Sequence, residues 1–242
     1  MKHLATVFLF LLASAAFAQD AGLINADRPG IADSSTVVGR GIFQLEAGLE
    51  RDHDADGRSV AMPLLLRYGV SKELELRLEG NGYIHADGAN GFAPLSLGAK
   101  YHFADAPSLG VIARIFVPSG TGGQRSHTTT GDVRFTADIN MGEKWSVNPN
   151  IGVASQDDGD GRFTAGLVAL TVQYNLSDRA NVFVDGAVQS PEQRGGGSSL
   201  IVDVGGAWIT GRNTQLDVSV GWGAHGTTAP NVFVGAGISR RF

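Results

Sequence analysis

From residue 41 onward apolar and polar residues alternate in runs of about ten, and this period of two constrains the fold more than any other feature. In Phe43-Gln44-Leu45-Glu46-Ala47-Gly48-Leu49-Glu50 one face carries Phe, Leu, Ala and Leu, the other Gln, Glu, Gly and Glu. The runs at 74–79 and 132–141 repeat the pattern. Successive side chains of a strand point to opposite faces, so each run makes a strand with one apolar and one polar face. Twelve such strands are predicted, near 41–51, 58–70, 74–84, 92–103, 109–118, 131–141, 145–154, 162–174, 180–189, 199–209, 214–224 and 231–242. About ten residues is the length a tilted strand needs to cross a bilayer.

The connections alternate too. Short turns at 71–73, 104–108, 142–144, 175–179 and 210–213 are interleaved with longer polar loops at 52–57, 85–91, 119–130, 155–161, 190–198 and 225–230. Short periplasmic turns and long extracellular loops are the asymmetry of an outer-membrane barrel. The expected fold is therefore all-β: a single antiparallel up-and-down transmembrane β-barrel of about 12 strands over residues 41–242, in the bacterial outer membrane. A soluble sandwich or lipocalin-like barrel would alternate equally, with its apolar face inward. Charge placement favours the membrane. Glu46, Arg67, Glu75, Arg77, Glu79, Lys100, Arg114, Arg134, Asp138, Asp185, Asp203 and Asp217 share the polar faces and are the candidates for lining the lumen. Seven of these twelve are acidic and five basic, which predicts at most a mild preference for cations. Tyr68, Tyr83, Tyr101, Phe103, Trp145, Tyr174, Trp208 and Trp222 fall near strand ends, where interfacial girdles lie. Unpaired strand edges are not tolerated in hydrocarbon, so the first and last strands must meet.

The chain opens with Lys2 and His3, an apolar run from Leu4 to Ala15, and Ala16-Phe17-Ala18. These are the parts of a secretory signal peptide, predicted to be cleaved after Ala18. Residues 19–40 are then expected to form an N-terminal periplasmic segment. The absence of Cys excludes a disulfide scaffold and a thiol nucleophile. A net charge of −5 offers no basic stripe for nucleic acid.

Ala26-Asp27-Arg28-Pro29-Gly30-Ile31-Ala32-Asp33-Ser34-Ser35, followed by Gly41-Ile42-Phe43-Gln44-Leu45-Glu46-Ala47-Gly48, resembles a pattern of roughly T-D-R-P-D-x-T-E-S, a gap, then G-x-x-Q-x-E-x-G. That pattern belongs to a family of outer-membrane proteins associated by name with the meta-pathway of phenol degradation and often called transporters. Asp27, Arg28, Pro29, Ser34, Gln44, Glu46 and Gly48 carry the match; Ala26, Gly30 and Ala32-Asp33 depart from it. The resemblance implies a barrel that passes small, aromatic or otherwise hydrophobic compounds. Arg28 has two readings: it folds toward the lumen and pairs with a carboxylate such as Glu46, or the segment simply clamps the first strand in register. The terminal Phe242 resembles the signal read by the barrel-assembly machinery, although Arg240 interrupts the usual apolar pattern.

No catalytic constellation is legible. His53, His85, His127 and His225 fall in expected loops, His102 lies beside Lys100 on a polar face, and no G-x-S-x-G occurs. Asp157, Asp158 and Asp160 form an acidic loop without an EF-hand spacing. The expectation is a protein with no enzyme activity, cofactor or metal, whose partners are outer-membrane lipids, lipopolysaccharide, the assembly machinery and a small solute. Two functions remain: a passive diffusion channel, or a closed structural barrel in which Arg67, Arg77, Arg114 and Arg134 lock with Glu46, Glu75, Glu79 and Asp138 while the loops do the work.

Overall fold

The computed structural model describes residues 22–54 and 57–242. The predicted signal peptide lies outside the described residues. Fifteen strand segments form one antiparallel sheet: β1 (Phe43–Asp54), β2 (Gly57–Ala61), β3 (Leu64–Gly69), β4 (Leu74–Gly80), β5 (Tyr83–Ala86), β6 (Gly91–Phe92), β7 (Ser96–Asp105) and β8 (Ser108–Phe116). They continue with β9 (Thr130–Met141), β10 (Trp145–Asp157), β11 (Arg162–Ser177), β12 (Ala180–Ser190), β13 (Ser199–Gly211), β14 (Thr214–His225) and β15 (Val232–Arg241). Consecutive segments β2 and β3, β4 and β5, and β6 and β7 each make one stave, which gives twelve staves. β1 pairs with β15 from Gln44↔Arg241 to His53↔Val232, so the barrel is closed and has no free edge.

Prolines explain two of the interrupted staves. Pro63 cannot donate to the ladder, yet Gly48 N–H still reaches the Pro63 carbonyl at 3.0 Å and the register with β1 resumes unchanged. Pro94 stands in the gap between β6 and β7, and Ala93 N–H bridges to the Gly82 carbonyl at 2.7 Å. The strand expected from residue 92 therefore becomes regular only at Ser96. Other strands run further than their composition suggests. The β1–β2 ladder extends to Asp54↔Gly57, so most of the loop expected at 52–57 is paired strand. Polar residues above the apolar band look like loop in sequence but still pair as ladder.

The two faces are inverted relative to a soluble barrel. Ile151 is 62% exposed and Val218 59%, whereas Arg67 is 1% exposed and Glu46 fully buried. Apolar side chains cover the outside and charges fill the inside, as a lipid-spanning barrel requires. Among the girdle candidates, Trp145 stacks against Tyr174 with ring centroids 4.8 Å apart, beside a short turn. At the same end Phe43 meets Tyr68 at 4.6 Å, and at the long-loop end Tyr83 meets Phe92 at 5.2 Å.

Candidate functional site in the lumen

Residues 22–42 do not extend away from the barrel; they fold into its lumen and return to the short-turn end. This corrects the expectation of a segment lying wholly on the periplasmic side. The segment enters at the short-turn end, where Ile24 N–H donates to the Arg212 carbonyl at 3.0 Å and Arg241 Nη2 donates to the Gly22 carbonyl at 2.7 Å. It returns to the wall where Gly41 N–H meets the Gly69 carbonyl at 2.8 Å.

Between those points the segment is bound by charge. Asp27 accepts Lys100 Nζ at 2.8 Å and Arg77 Nη1 at 2.5 Å, and Arg67 Nη1 lies 3.7 Å away. The Ser34 hydroxyl closes a local loop onto the same carboxylate at 2.7 Å. Asp33 receives Arg77 Nη2 at 3.0 Å, with Arg114 at 3.5 Å and Arg134 at 3.7 Å. Burial works to raise both carboxyls. At Asp27 the charges of Arg67, Lys100 and Arg77 outweigh it and hold the group well below the usual range. At Asp33, Arg77 and Arg114 do the same less strongly.

The wall carboxylates hold the segment's backbone in turn. Glu46 accepts the N–H groups of Asp27 and Arg28 at 3.3 and 2.9 Å, Asp185 that of Ile31 at 2.5 Å, and Glu75 that of Val38 at 3.0 Å. Asp138 accepts both the N–H and the hydroxyl of Ser35, and Asn150 makes a two-way bond with the Asp33 backbone at 2.9 and 3.0 Å. Arg28 does enter the lumen, but its guanidinium reaches Asp217 at 3.2 Å rather than Glu46. Gly48 and Gly237 make room for it: a Cβ on Gly48 would lie 2.5 Å from Arg28 Nη2.

The twelve candidate residues thus divide by side. Arg67 bonds Glu46 and Glu75, Arg77 bonds Glu75 and Glu79, and Arg114 bonds Glu79. Asp203 stands apart from this network. Arg134 and Arg114 share Asp132, which the sequence reading did not single out although it has the same parity as Arg134. Asp138 pairs with no arginine; besides Ser35 it takes Asn148 Nδ2 at 2.8 Å. His102 contacts the Ser35 carbonyl at 3.2 Å and Asp105 at 2.9 Å.

Asp27 to Gly30 lie in the lining of two cavities, one of about 770 Å³ toward the short turns and one of about 560 Å³ toward the long loops. A third, of about 270 Å³, opens beside the outer one among Ile31, Leu167, Ala169, Ala187, Ile201 and Ala229, with Arg134, Asn150 and Gln189 as polar neighbours. At the outer mouth, Glu192 accepts the N–H groups of Thr227 and Thr228 at 2.8 and 3.1 Å and both of their hydroxyls. These bonds lower the Glu192 pKa and tie the loop after β14 to the loop after β12. Thr228 lines both outer cavities.

A family model described as "Putative MetA-pathway of phenol degradation" matches residues 26–242, from the segment in the lumen to the last strand. The chain belongs to this family. Among solved structures it is similar to the crystal structure of the COG4313 outer membrane channel from Pseudomonas putida F1, with a TM-score of 0.63 and 14% identity over 90% of this chain and all of that one. It is also similar to the KdgM porin, with a TM-score of 0.58 and 13% identity over 82% of this chain and 99% of that one. The CymD monoaromatic hydrocarbon channel gives a TM-score of 0.50 and 8% identity over 82% of this chain and 87% of that one. At such identities the likeness is one of fold: an outer-membrane barrel. No curated protein matches the sequence. The matched region of the family begins at Ala26, so it takes in the charged segment together with the wall that binds it.

Proposed function

We propose that this barrel passes small amphipathic solutes, aromatic compounds among them, across the outer membrane by diffusion, and that the segment 24–38 gates the passage. The observation that carries the reading is the pair of cavities of about 770 and 560 Å³ meeting at Asp27, Arg28, Pro29 and Gly30. A purely structural barrel would gain nothing from keeping such volumes on both sides of a charged partition. The apolar recess at Ile31, Leu167 and Ile201 suits a ring, and Asn150 and Gln189 beside it suit a hydroxyl. The phenol-degradation description of the family and the monoaromatic channel among the similar structures agree with that solute class. No enzymatic step belongs to this reading: Arg67, Arg77, Lys100 and Glu46 are used to bind the segment.

The test is conductance in planar bilayers and phenol uptake by liposomes, for the wild type and Arg77→Ala. Arg77 bridges the segment's Asp27 and Asp33 to the wall's Glu75 and Glu79. Losing it should raise both signals. Silence from both proteins would leave the closed barrel with working loops as the function.

A further inference from the structure

We propose that the outer chamber holds an organic ammonium ion on a row formed by Asp52, Phe233 and Asp203. Asp52 pairs with Phe233 across β1 and β15, Phe233 with Gly221 across β15 and β14, and Gly221 with Asp203 across β14 and β13. The four residues therefore face the lumen along one line crossing four staves, about 14 Å from end to end at the usual strand spacing. Gly221 has no side chain because the Phe233 ring covers it. Glu50 lies one row inward, its Oε2 over the bare backbone of Gly235. All of these except the glycines line the cavity of about 560 Å³.

Among the described residues, Asp52 and Asp203 bond no arginine, lysine or backbone N–H group, and Asp52 Oδ2 accepts only the Ser59 hydroxyl at 2.9 Å. Asp185 Oδ1 and Asp217 Oδ2 also lack a partner, but their other oxygens take the Ile31 N–H and Arg28. Asp203 is 1% exposed, and its Oδ1 has no hydrogen-bond partner; Asp52 Oδ1 has none either. Arg28, which lines the same chamber, bonds Asp217 through Nη2 at 3.2 Å and makes no ion pair with Glu50, Asp52 or Asp203. A buried carboxylate without a donor is neutralised either by a proton or by a cation, and a cation that brings its own charge to Asp52 and Asp203 together can displace the proton. The spacing decides which kind. Among the described residues no three acidic or histidine side chains stand close enough to hold one metal ion, and a hard cation needs several oxygens at about 2.0–2.6 Å. A larger cation with diffuse charge fits better. The ring of Phe233 offers a cation–π face between the two carboxylates, and Leu65, Ile201 and Ile31 in the same chamber accommodate an apolar body.

The site is tested by calorimetric titration of the barrel folded in detergent, so binding is read without reference to conduction. The probes are benzyltrimethylammonium, benzyl alcohol, benzoate and calcium chloride. Benzyltrimethylammonium should bind at least about tenfold more tightly than benzyl alcohol, and benzoate more weakly than either. Asp203→Asn and Asp52→Asn should each weaken the ammonium about tenfold and leave the alcohol unchanged. Phe233→Leu should weaken it roughly threefold. Folding of each variant is read from heat-modifiable gel mobility, and Asp52→Asn, near a strand end, serves if Asp203→Asn does not fold. Equal affinity for ammonium and alcohol, displacement of the ammonium by calcium, or unchanged affinity in a folded Asp203→Asn or Asp52→Asn barrel would overturn the proposal. Loss of conductance with ammonium binding intact would instead count against the channel reading alone.

Discussion

At Asp27, cations from three adjacent staves, Arg67, Arg77 and Lys100, converge on one carboxylate of a segment that is not part of the sheet. Removing one member of a buried charge cluster strands the rest without water or partner. Asp27→Asn is expected to cost about 3 kcal/mol of unfolding free energy and to raise conductance, because the neutral amide no longer anchors the segment. Urea titration of the liposome-inserted barrel, run beside single-channel recording, checks both. The pH dependence follows from the depressed pKa. A carboxyl held below its unfolded value of about 3.9 contributes fully above that value and loses its contribution only as the pH falls through the folded one. Conductance should therefore be flat from about pH 5 to 8 and rise only in stronger acid. An opening near neutral pH would point to a different latch. From sequence, Asp27 was visible as a motif residue and Arg77 as a lumen charge, but nothing local joined residues 50 positions apart.

Loops and strand ends show the same limit at the scale of elements. Glu192 sits in a Gly-rich stretch that reads as a solvated loop, yet it accepts four bonds from Thr227 and Thr228. Glu192→Ala should release the loop 226–231 and speed amide exchange at Thr227 and Thr228 roughly tenfold, with the strand amides unaffected. Hydrogen exchange followed by mass spectrometry reads this directly. At the other end, Phe242 N–H closes onto the Phe43 carbonyl at 2.8 Å, while the ring is 66% exposed beside the aromatic residues of the short-turn end. A chain ending at Arg241 should reach the outer membrane in markedly lower amounts, measured by blotting membrane fractions, while the molecules that do insert keep wild-type conductance. The proline breaks at Pro63 and Pro94 were open to inspection in the sequence. That the register survives across Pro63 was not, because it depends on β1 supplying the matching groups.

For the whole molecule, stability in a bilayer depends on keeping charge off the outer surface. Val218 and Ser219 are neighbours on β14, the first facing outward and the second lining the outer chamber. Val218→Arg should destabilise the inserted barrel by about 2–4 kcal/mol if it lies near the midplane. Ser219→Arg, on the wet face, should cost less and should instead alter conductance by narrowing the chamber. Urea midpoints in liposomes for the two variants test the assignment of inside and outside. Equal losses would mean that the two faces are not the lipid and lumen faces described above.

The strand count, the closed barrel and the charged inner face follow from the sequence alone, because period-two alternation, strand length and turn asymmetry are properties of neighbouring residues. So do most of the charges that share the lumen, from Glu46 to Asp217, although Asp132 and Asp52 were not among them. Only the tertiary structure decided what those charges do. Residues 22–42 have no strand alternation and read as a tail, and their place in the lumen is set by ion pairs with staves 40 to 190 residues away. Closing the barrel brings those staves around a single axis, where buried charge must find a partner or remain unsatisfied. Asp27 and Asp33 supply partners on one side; Asp52 and Asp203 on the other are left with unfilled oxygens, and no reading of neighbouring residues could have told the two pairs apart.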